Sequence, residues 1–311
     1  MNRNLTWAYE PGHSISLQAD GILLANYVFA PTDAAKPYVH PIHTMSGVPM
    51  TAYQPSDHVW HRGLWFAWKY INGVNYWEEA VRPEEAGRLF SDGRTSSVGT
   101  ESLSFQNDSA VVIHAISYTA PDGTEMLQED RRVVIHPPGD NGNFRMDFAH
   151  LFTAGKIEVT LDVTTVTPET PWGGYAGLGI RTARSLQRFR TLSSEGLEGD
   201  TANGSRSRWA DLSGVADGGV GRSAGVAIFA HPQNPRFPSP TYVYNRAEAF
   251  GYLNLNPIRD EPMVLSAHEQ LRLAYRVLIH DGGADPRLFD AEHAAFGSED
   301  PFNDFAKHRK I

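Results

Sequence analysis

The run Asp57-His58-Val59-Trp60-His61-Arg62-Gly63 places a carboxylate, two imidazoles and a guanidinium within six positions. Imidazole is the side chain that titrates near neutrality without help, and it is also a common metal ligand. Two histidines three apart in a loop can converge on one partner, either a metal ion or a reacting oxygen. The surrounding stretch, Tyr38 to Glu79, holds four of the thirteen histidines and four of the seven tryptophans. We read His58 and His61 as catalytic, with His40, Arg62 and Trp77 as substrate-binding neighbours. His61 is the residue whose loss is expected to cost most. Arg62 lowers its pKa and Asp57 raises it, so that it would titrate near neutrality. The bland reading is that His58 caps a turn and His61 is a satisfied core histidine. A metal would need more ligands from His40, His43, Asp57 or the distant His150 and His231, and no HExxH pattern is present.

Three further groups carry possible chemistry. In a strand, Glu129 and Arg131 share one face and Asp130 and Arg132 the other. Glu129 is read as an acid/base group and Arg131 as a substrate anchor, against an ordinary cross-strand ion pair. From Trp172 to Arg181, four glycines (Gly173, Gly174, Gly177, Gly179) permit close backbone approach. No helical pattern follows them, which excludes a dinucleotide-binding loop. Trp172 or Tyr175 would stack on a ligand, and Arg181 would grip a carbonyl or carboxylate. Finally, His231-Pro232-Gln233-Asn234-Pro235 closes an apolar run. A histidine at a proline-fixed strand exit suits acid/base work, with Asn234 as a binding group.

The elements that must position these groups are strands. Asp-Gly or Asn-Gly pairs, the signature of tight hairpin turns, occur at 20–21, 72–73, 92–93, 122–123, 141–142, 203–204, 217–218 and 281–282. Between them lie runs of period two: Phe144, Met146, Phe148, His150 and Phe152; then Ile157, Val159, Leu161, Val163 and Thr165; then Leu271, Leu273, Tyr275, Val277 and Ile279. Such alternation predicts half-buried antiparallel strands. About fifteen or more strands should split into two packed sheets. A short helix is expected only from Asp285 to Phe296, where Pro286 suits the first turn. With no linker or repeat visible, residues 1–311 are expected to form one all-β domain, a large two-sheet sandwich.

Composition narrows the function. The chain has 27 basic and 36 acidic residues, a net charge of −9, and no basic block. That argues against nucleic-acid or anionic-membrane partners, which require a basic patch. The absence of cysteine excludes disulfides, thiolate metal sites and cysteine nucleophiles. No apolar stretch approaches the roughly 18 to 20 residues of a membrane span, and the first residues lack a signal-peptide pattern, so a cytoplasmic location is expected.

The motifs also resemble a bacterial family labelled PmoA-like. They are His40-Pro41, Ser46-Gly47, Pro55-Ser56-Asp57-His58-Val59-Trp60-His61-Arg62-Gly63 and Asn75-Tyr76-Trp77. Downstream lie Glu129 to Arg132, Gly173 to Arg181, His231 to Pro235 and Leu271 to Gly282. Some members carry His-His where this chain has Trp60-His61, so position 60 is not expected to be an essential ligand. The resemblance implies a galactose-mutarotase-like β-supersandwich with a carbohydrate site on its concave sheet. The family's label refers to methane oxygenation, a chemistry of membrane-embedded copper proteins. Lacking a membrane segment, the chain takes from the resemblance the fold and not that activity.

The reading is a carbohydrate-active enzyme working by acid/base chemistry (epimerisation, elimination or hydrolysis) on a small sugar or oxidised sugar. His40, His58, His61, Glu129, Arg181 and His231 are expected in one pocket. No cofactor is called for, although a divalent metal is an open alternative. The competing readings are a non-catalytic carbohydrate-binding protein and a metal-dependent oxygenase or hydrolase.

Overall fold

The computed structural model describes residues 3–32, 34–79, 93–218, 222–246 and 250–305; Asp92 of the Asp92-Gly93 pair lies outside them. Alternation assembles the architecture. Phe144, Met146, Phe148, His150 and Phe152 are buried along the strand Phe144–Ala154. That strand pairs antiparallel with Gln270–Asp281, setting Phe148 opposite Tyr275 and Phe144 opposite Ile279. One face of each strand thus supplies a continuous apolar surface. The second predicted run is shorter than its pattern suggests, because the strand spans only Val159–Asp162 and Ile157 is 44% exposed. At Asp20-Gly21 and Asn72-Gly73 both residues have positive φ, the geometry of two-residue hairpin turns.

Among the described residues the strands form three sheets. The nine-stranded sheet runs Leu5–Glu10, Ser14–Ala19, Ile22–Val28, Tyr38–Ile42, Leu64–Ala67, Gly177–Arg181, Phe250–Leu255, Ser239–Arg246, Arg206–Ser207. The eight-stranded sheet runs Leu186–Ser193, Trp209–Ala216, Ser223–Ala230, Gln270–Asp281, Phe144–Ala154, Glu125–Ile135, Ser109–Thr119, Arg94–Gln106. A smaller sheet joins Met263–Leu265, Val159–Asp162, Tyr70–Ile71 and Val74–Asn75. All pairings are antiparallel.

The main core lies between the two large sheets. Leu64, Phe66, Leu178, Ile180, Leu253 and Leu255 meet Val133, Phe148, Phe152, Val226, Leu273 and Val277. The far face of the eight-stranded sheet is covered by the helix Pro286–Gly297, whose Phe289 and Phe296 pack with Trp209, Phe229 and Leu278. Asp285 caps this helix by accepting hydrogen bonds from the Arg287 and Leu288 amides, which satisfies two donors that a helix start otherwise leaves open. On the far face of the nine-stranded sheet a third apolar layer gathers Tyr38, Trp65, Trp77, Tyr242 and Tyr252. That layer carries the candidate site.

Both large sheets draw strands from early and late in the chain, so no single cut separates them. We therefore propose that the chain folds as one unit. Urea unfolding followed by circular dichroism and by tryptophan fluorescence should give one coincident transition; two resolved transitions would contradict this.

Candidate functional site

Register decides which residues face the site. In the strand Leu64–Ala67, Leu64 and Phe66 enter the core, so Trp65 points to the far face. The same parity turns Gly179 and Arg181 outward beside Leu178 and Ile180, and Tyr252 outward beside Leu253. Arg181 lies opposite Tyr252, and Gly179 opposite Trp65. Gly179 is required here, since a Cβ at that position would stand 2.2 Å from the Tyr252 hydroxyl.

The loop 54–62 folds over this surface. The His58 amide bonds to the Pro55 carbonyl, the His61 amide to the His58 carbonyl, and the Gln54 amide to the His61 carbonyl. Gly63 ends the loop at positive φ, where a Cβ would lie 2.5 Å from the Val39 carbonyl oxygen, so no other residue fits without backbone movement. These turns bring the imidazoles of His58 and His61 into a stack, with centroids 4.7 Å apart.

Asp57 organises the pair. Its Oδ2 accepts from Arg181 Nη2 at 2.6 Å and lies 2.8 Å from His58 Nδ1, while Oδ1 accepts from Arg184 at 3.2 Å. Partial burial would raise this carboxyl, but the bonds from Arg181 and His58 outweigh it and hold Asp57 well below the usual carboxylate range. Arg181 also places Nη1 3.3 Å from His61 Nδ1. Burial, followed by the charges of His58, Arg181 and Lys36, pushes His61 well below the ordinary histidine value. It is therefore neutral at physiological pH and does not titrate near neutrality. Arg62 does not tune it as expected: that guanidinium is drawn to Glu79 and over the Tyr53 ring.

The imidazoles open onto a cavity of about 390 Å³ lined by His58, Trp60, His61, Trp77, Glu78, Trp172, Tyr175, Tyr242, Tyr244, Phe250 and Tyr252. Glu78 receives Lys69 Nζ, Asn75 Nδ2 and the Tyr175 hydroxyl. Burial alone would raise its pKa, but Lys69 and these hydrogen bonds hold it below the ordinary value. The Tyr252 hydroxyl and the Trp65 indole N–H are enclosed with no hydrogen-bond partner among the described residues.

Of the residues singled out in sequence, His58, His61, Trp77 and Trp172 line this cavity. Arg181 lies behind them, fully buried and committed to Asp57 and His61, so it positions the imidazoles and does not grip substrate. His40 stands beside the cavity, stacked on Tyr53 with Nδ1 on Thr51, and burial lowers its pKa to about 4. The others are elsewhere. Glu129 and Arg131 share the parity of Leu127 and Val133, which turns them into the core between the sheets. There Glu129 accepts from Arg131, His150 and Tyr118. His231 is buried beneath the C-terminal helix, with Nε2 on the Phe296 carbonyl oxygen. Asn234 brackets the backbone of Ala274. Both fasten the helix side of the eight-stranded sheet, so the single six-residue pocket is not formed.

Sequence reasoning missed Glu78, although it follows Trp77 directly. It also missed Tyr242, Tyr244, Phe250 and Tyr252, whose period-two spacing was the available signal. Among the described residues no group of three or more His, Asp or Glu side chains gathers as a metal-binding set, and no helix is long and apolar enough to cross a membrane.

An all-β sandwich bearing an aromatic cavity beside an Asp-linked imidazole pair is the class of protein defined so far. The chain belongs to the family of unknown function DUF6807, whose profile spans residues 14–294. No curated protein matches it in sequence. Solved structures that align with it include an α-galactosidase from Lactobacillus brevis (9% identity, TM-score 0.42), over 94% of this chain and 41% of that chain. This chain thus spans less than half of that protein. A galactose 1-epimerase from Lactobacillus acidophilus aligns over 91% of this chain and 100% of its own (8% identity, TM-score 0.37). A putative aldose 1-epimerase from Escherichia coli K12 does so over 91% and 100% (11% identity, TM-score 0.36).

The buried Glu129 cluster makes a prediction of its own. Its first influence is burial, which raises the carboxyl, but Arg131 and His150 more than reverse this and depress it. A depressed folded-state pKa contributes stability that is present above the unfolded value, about 4.3, and is lost as pH falls through the folded one. Glu129→Gln should therefore cost about 3–5 kcal/mol at pH 7, because Arg131 is left buried and uncompensated. The gap from wild type should narrow below about pH 4. Equal urea midpoints at pH 7 would refute the assignment.

Proposed function

We propose that the protein is a carbohydrate-active enzyme that moves a proton on a neutral or oxidised sugar, with His58 as general base and His61 as hydrogen-bond donor to the substrate. The observation that carries this is the pairing of two stacked imidazoles whose Nδ1 atoms have opposite partners. Asp57 is ionised and can only accept, so His58 Nδ1 bears the proton and His58 Nε2 presents a lone pair. Arg181 can only donate, so His61 Nδ1 is the acceptor and His61 Nε2 carries the hydrogen. Neither Nε2 has a protein hydrogen-bond partner among the described residues, and both rings line the cavity.

In the proposed step, His58 Nε2 takes a proton from the sugar, and Asp57 stabilises the resulting imidazolium. His61 Nε2–H donates to the oxygen on which negative charge develops. A neutral imidazole suits that role, as it stabilises the oxyanion without surrendering a proton. Return of a proton to the opposite face of the same carbon completes an epimerisation, and its delivery from His58 to a departing oxygen completes an elimination. The aromatic walls offer flat apolar faces to sugar C–H groups and exclude water.

The test is solvent exchange. A panel of aldoses, keto-sugars and oxidised sugars is incubated with the protein in D2O and followed by NMR. Deuterium incorporation or turnover is expected with wild type, and His58→Gln should slow it about 10²- to 10⁴-fold. The melting temperature should stay within a few degrees, since the His58 side chain is 39% exposed. Sugar binding with no exchange and no turnover would instead support the non-catalytic binding protein.

The division of labour has a spectroscopic consequence. Nitrogen-15 NMR of the His61 ring should show the neutral Nε2–H tautomer unchanged from pH 7 to pH 5. Protonation of His61 near the ordinary histidine value of about 6.5 would refute the neutral tautomer, since an imidazolium Nδ1 cannot accept from Arg181.

A further inference from the structure

The cavity extends well past the imidazole pair. Its inner end is formed by His58 and His61 with Phe250, Tyr252 and Trp77, at centroid separations of 5.6 Å for His58–Phe250, 5.5 Å for His61–Tyr252 and 6.5 Å for His61–Trp77. The lining then continues from Trp77 to Tyr175 (5.0 Å) and from Tyr175 to Trp172 (6.3 Å), with Tyr242 beside Tyr175 (5.8 Å). A sugar ring is about as wide as one aromatic side chain, so one ring at the imidazoles leaves the Trp172 end uncovered.

That outer end is held by hydrogen bonds, and the carboxylate it carries, Glu78, is engaged by Lys69, Asn75 and Tyr175. Trp172 is 48% exposed, unusual for the largest apolar side chain, which is normally mostly buried. Its backbone is nonetheless pinned. The Trp172 carbonyl accepts from the Tyr242 hydroxyl, and the next amide, of Gly173, bonds to the Thr170 carbonyl. Gly173 lies so close to the chain at Thr164 that a Cβ would stand 2.4 Å from the Thr164 carbonyl oxygen. The indole is thus presented at the mouth by a turn that cannot easily withdraw it. At the inner end, Tyr252 lines the cavity while its hydroxyl is enclosed over Gly179.

We infer that the cavity has two subsites, and that its ligand is a disaccharide or longer glycan whose outer ring stacks on Trp172 and Tyr175 while the inner ring meets His58, His61 and Tyr252. This rests on the carbohydrate reading above. Trp172 is then a specificity-determining residue that selects linked sugars over free monosaccharides.

The test is calorimetric titration of the full chain with glucose, galactose, cellobiose, lactose and maltose, paired with tryptophan fluorescence. At least one disaccharide should bind about tenfold tighter than its monosaccharide, as expected for one added ring stack, and should shift the tryptophan emission to the blue. Trp172→Ala should cost that disaccharide about tenfold more than it costs the monosaccharide. Trp172→Phe, which retains a ring, should recover most of the loss and guards against a folding artefact. Equal affinity for mono- and disaccharides, or equal losses in Trp172→Ala, would overturn the two-subsite inference and leave the carbohydrate reading standing. Failure of every sugar to bind would overturn that reading and the inference with it.

Discussion

The Asp57 carboxylate is the interaction on which the rest of the site depends. It ties an exposed loop to Arg181, a buried residue on a central strand, and in doing so crosses from the loop to the sheet. Through its own bond it fixes the tautomer of His58, and through Arg181 it fixes that of His61. An arginine buried without a counter-ion is costly, so the same contact that orients the imidazoles also makes Arg181 tolerable. Arg181 lies in addition 3.3 Å from the Phe250 ring centroid, which restricts the guanidinium to the plane from which both bonds form. The geometry of the site and its local stability are therefore one constraint.

A second consequence concerns the aromatic layer. The nine-stranded sheet has two apolar faces, one against the eight-stranded sheet and one against the loops. A sheet covered on both sides ordinarily has branched aliphatic residues throughout. Here the outer face carries rings, and rings leave space between them. Gly179 enlarges that space by letting Tyr252 lie across the strand.

The core between the sheets holds the opposite case. Glu129, Arg131, His150, Tyr118, Tyr27 and His114 form a buried polar cluster with no route to the cavity among its described contacts. Its residue types are those of an active site, and its burial is that of a structural ion pair. Desolvated charges of this kind add little net stability but penalise any packing that separates them, which suits a role in fixing the relation of the strands Ser109–Thr119, Glu125–Ile135 and Phe144–Ala154.

The all-β class, the hairpin turns and the C-terminal helix were legible in the sequence, because each depends on neighbours within a few residues. Period two shows that Glu129 and Arg131 share a face, but not which face; that is set by the side on which the nine-stranded sheet packs, and it sent them into the core. His231 looked like a catalytic strand exit until the helix packed over it. Tyr242, Tyr244, Phe250 and Tyr252 were ordinary strand aromatics until antiparallel pairing laid them beside His58 and His61. The residue types capable of chemistry were thus set by local sequence. Their partners, their protonation and the cavity they share were decided by tertiary structure alone, because burial and long-range pairing are what shift a pKa and choose a tautomer.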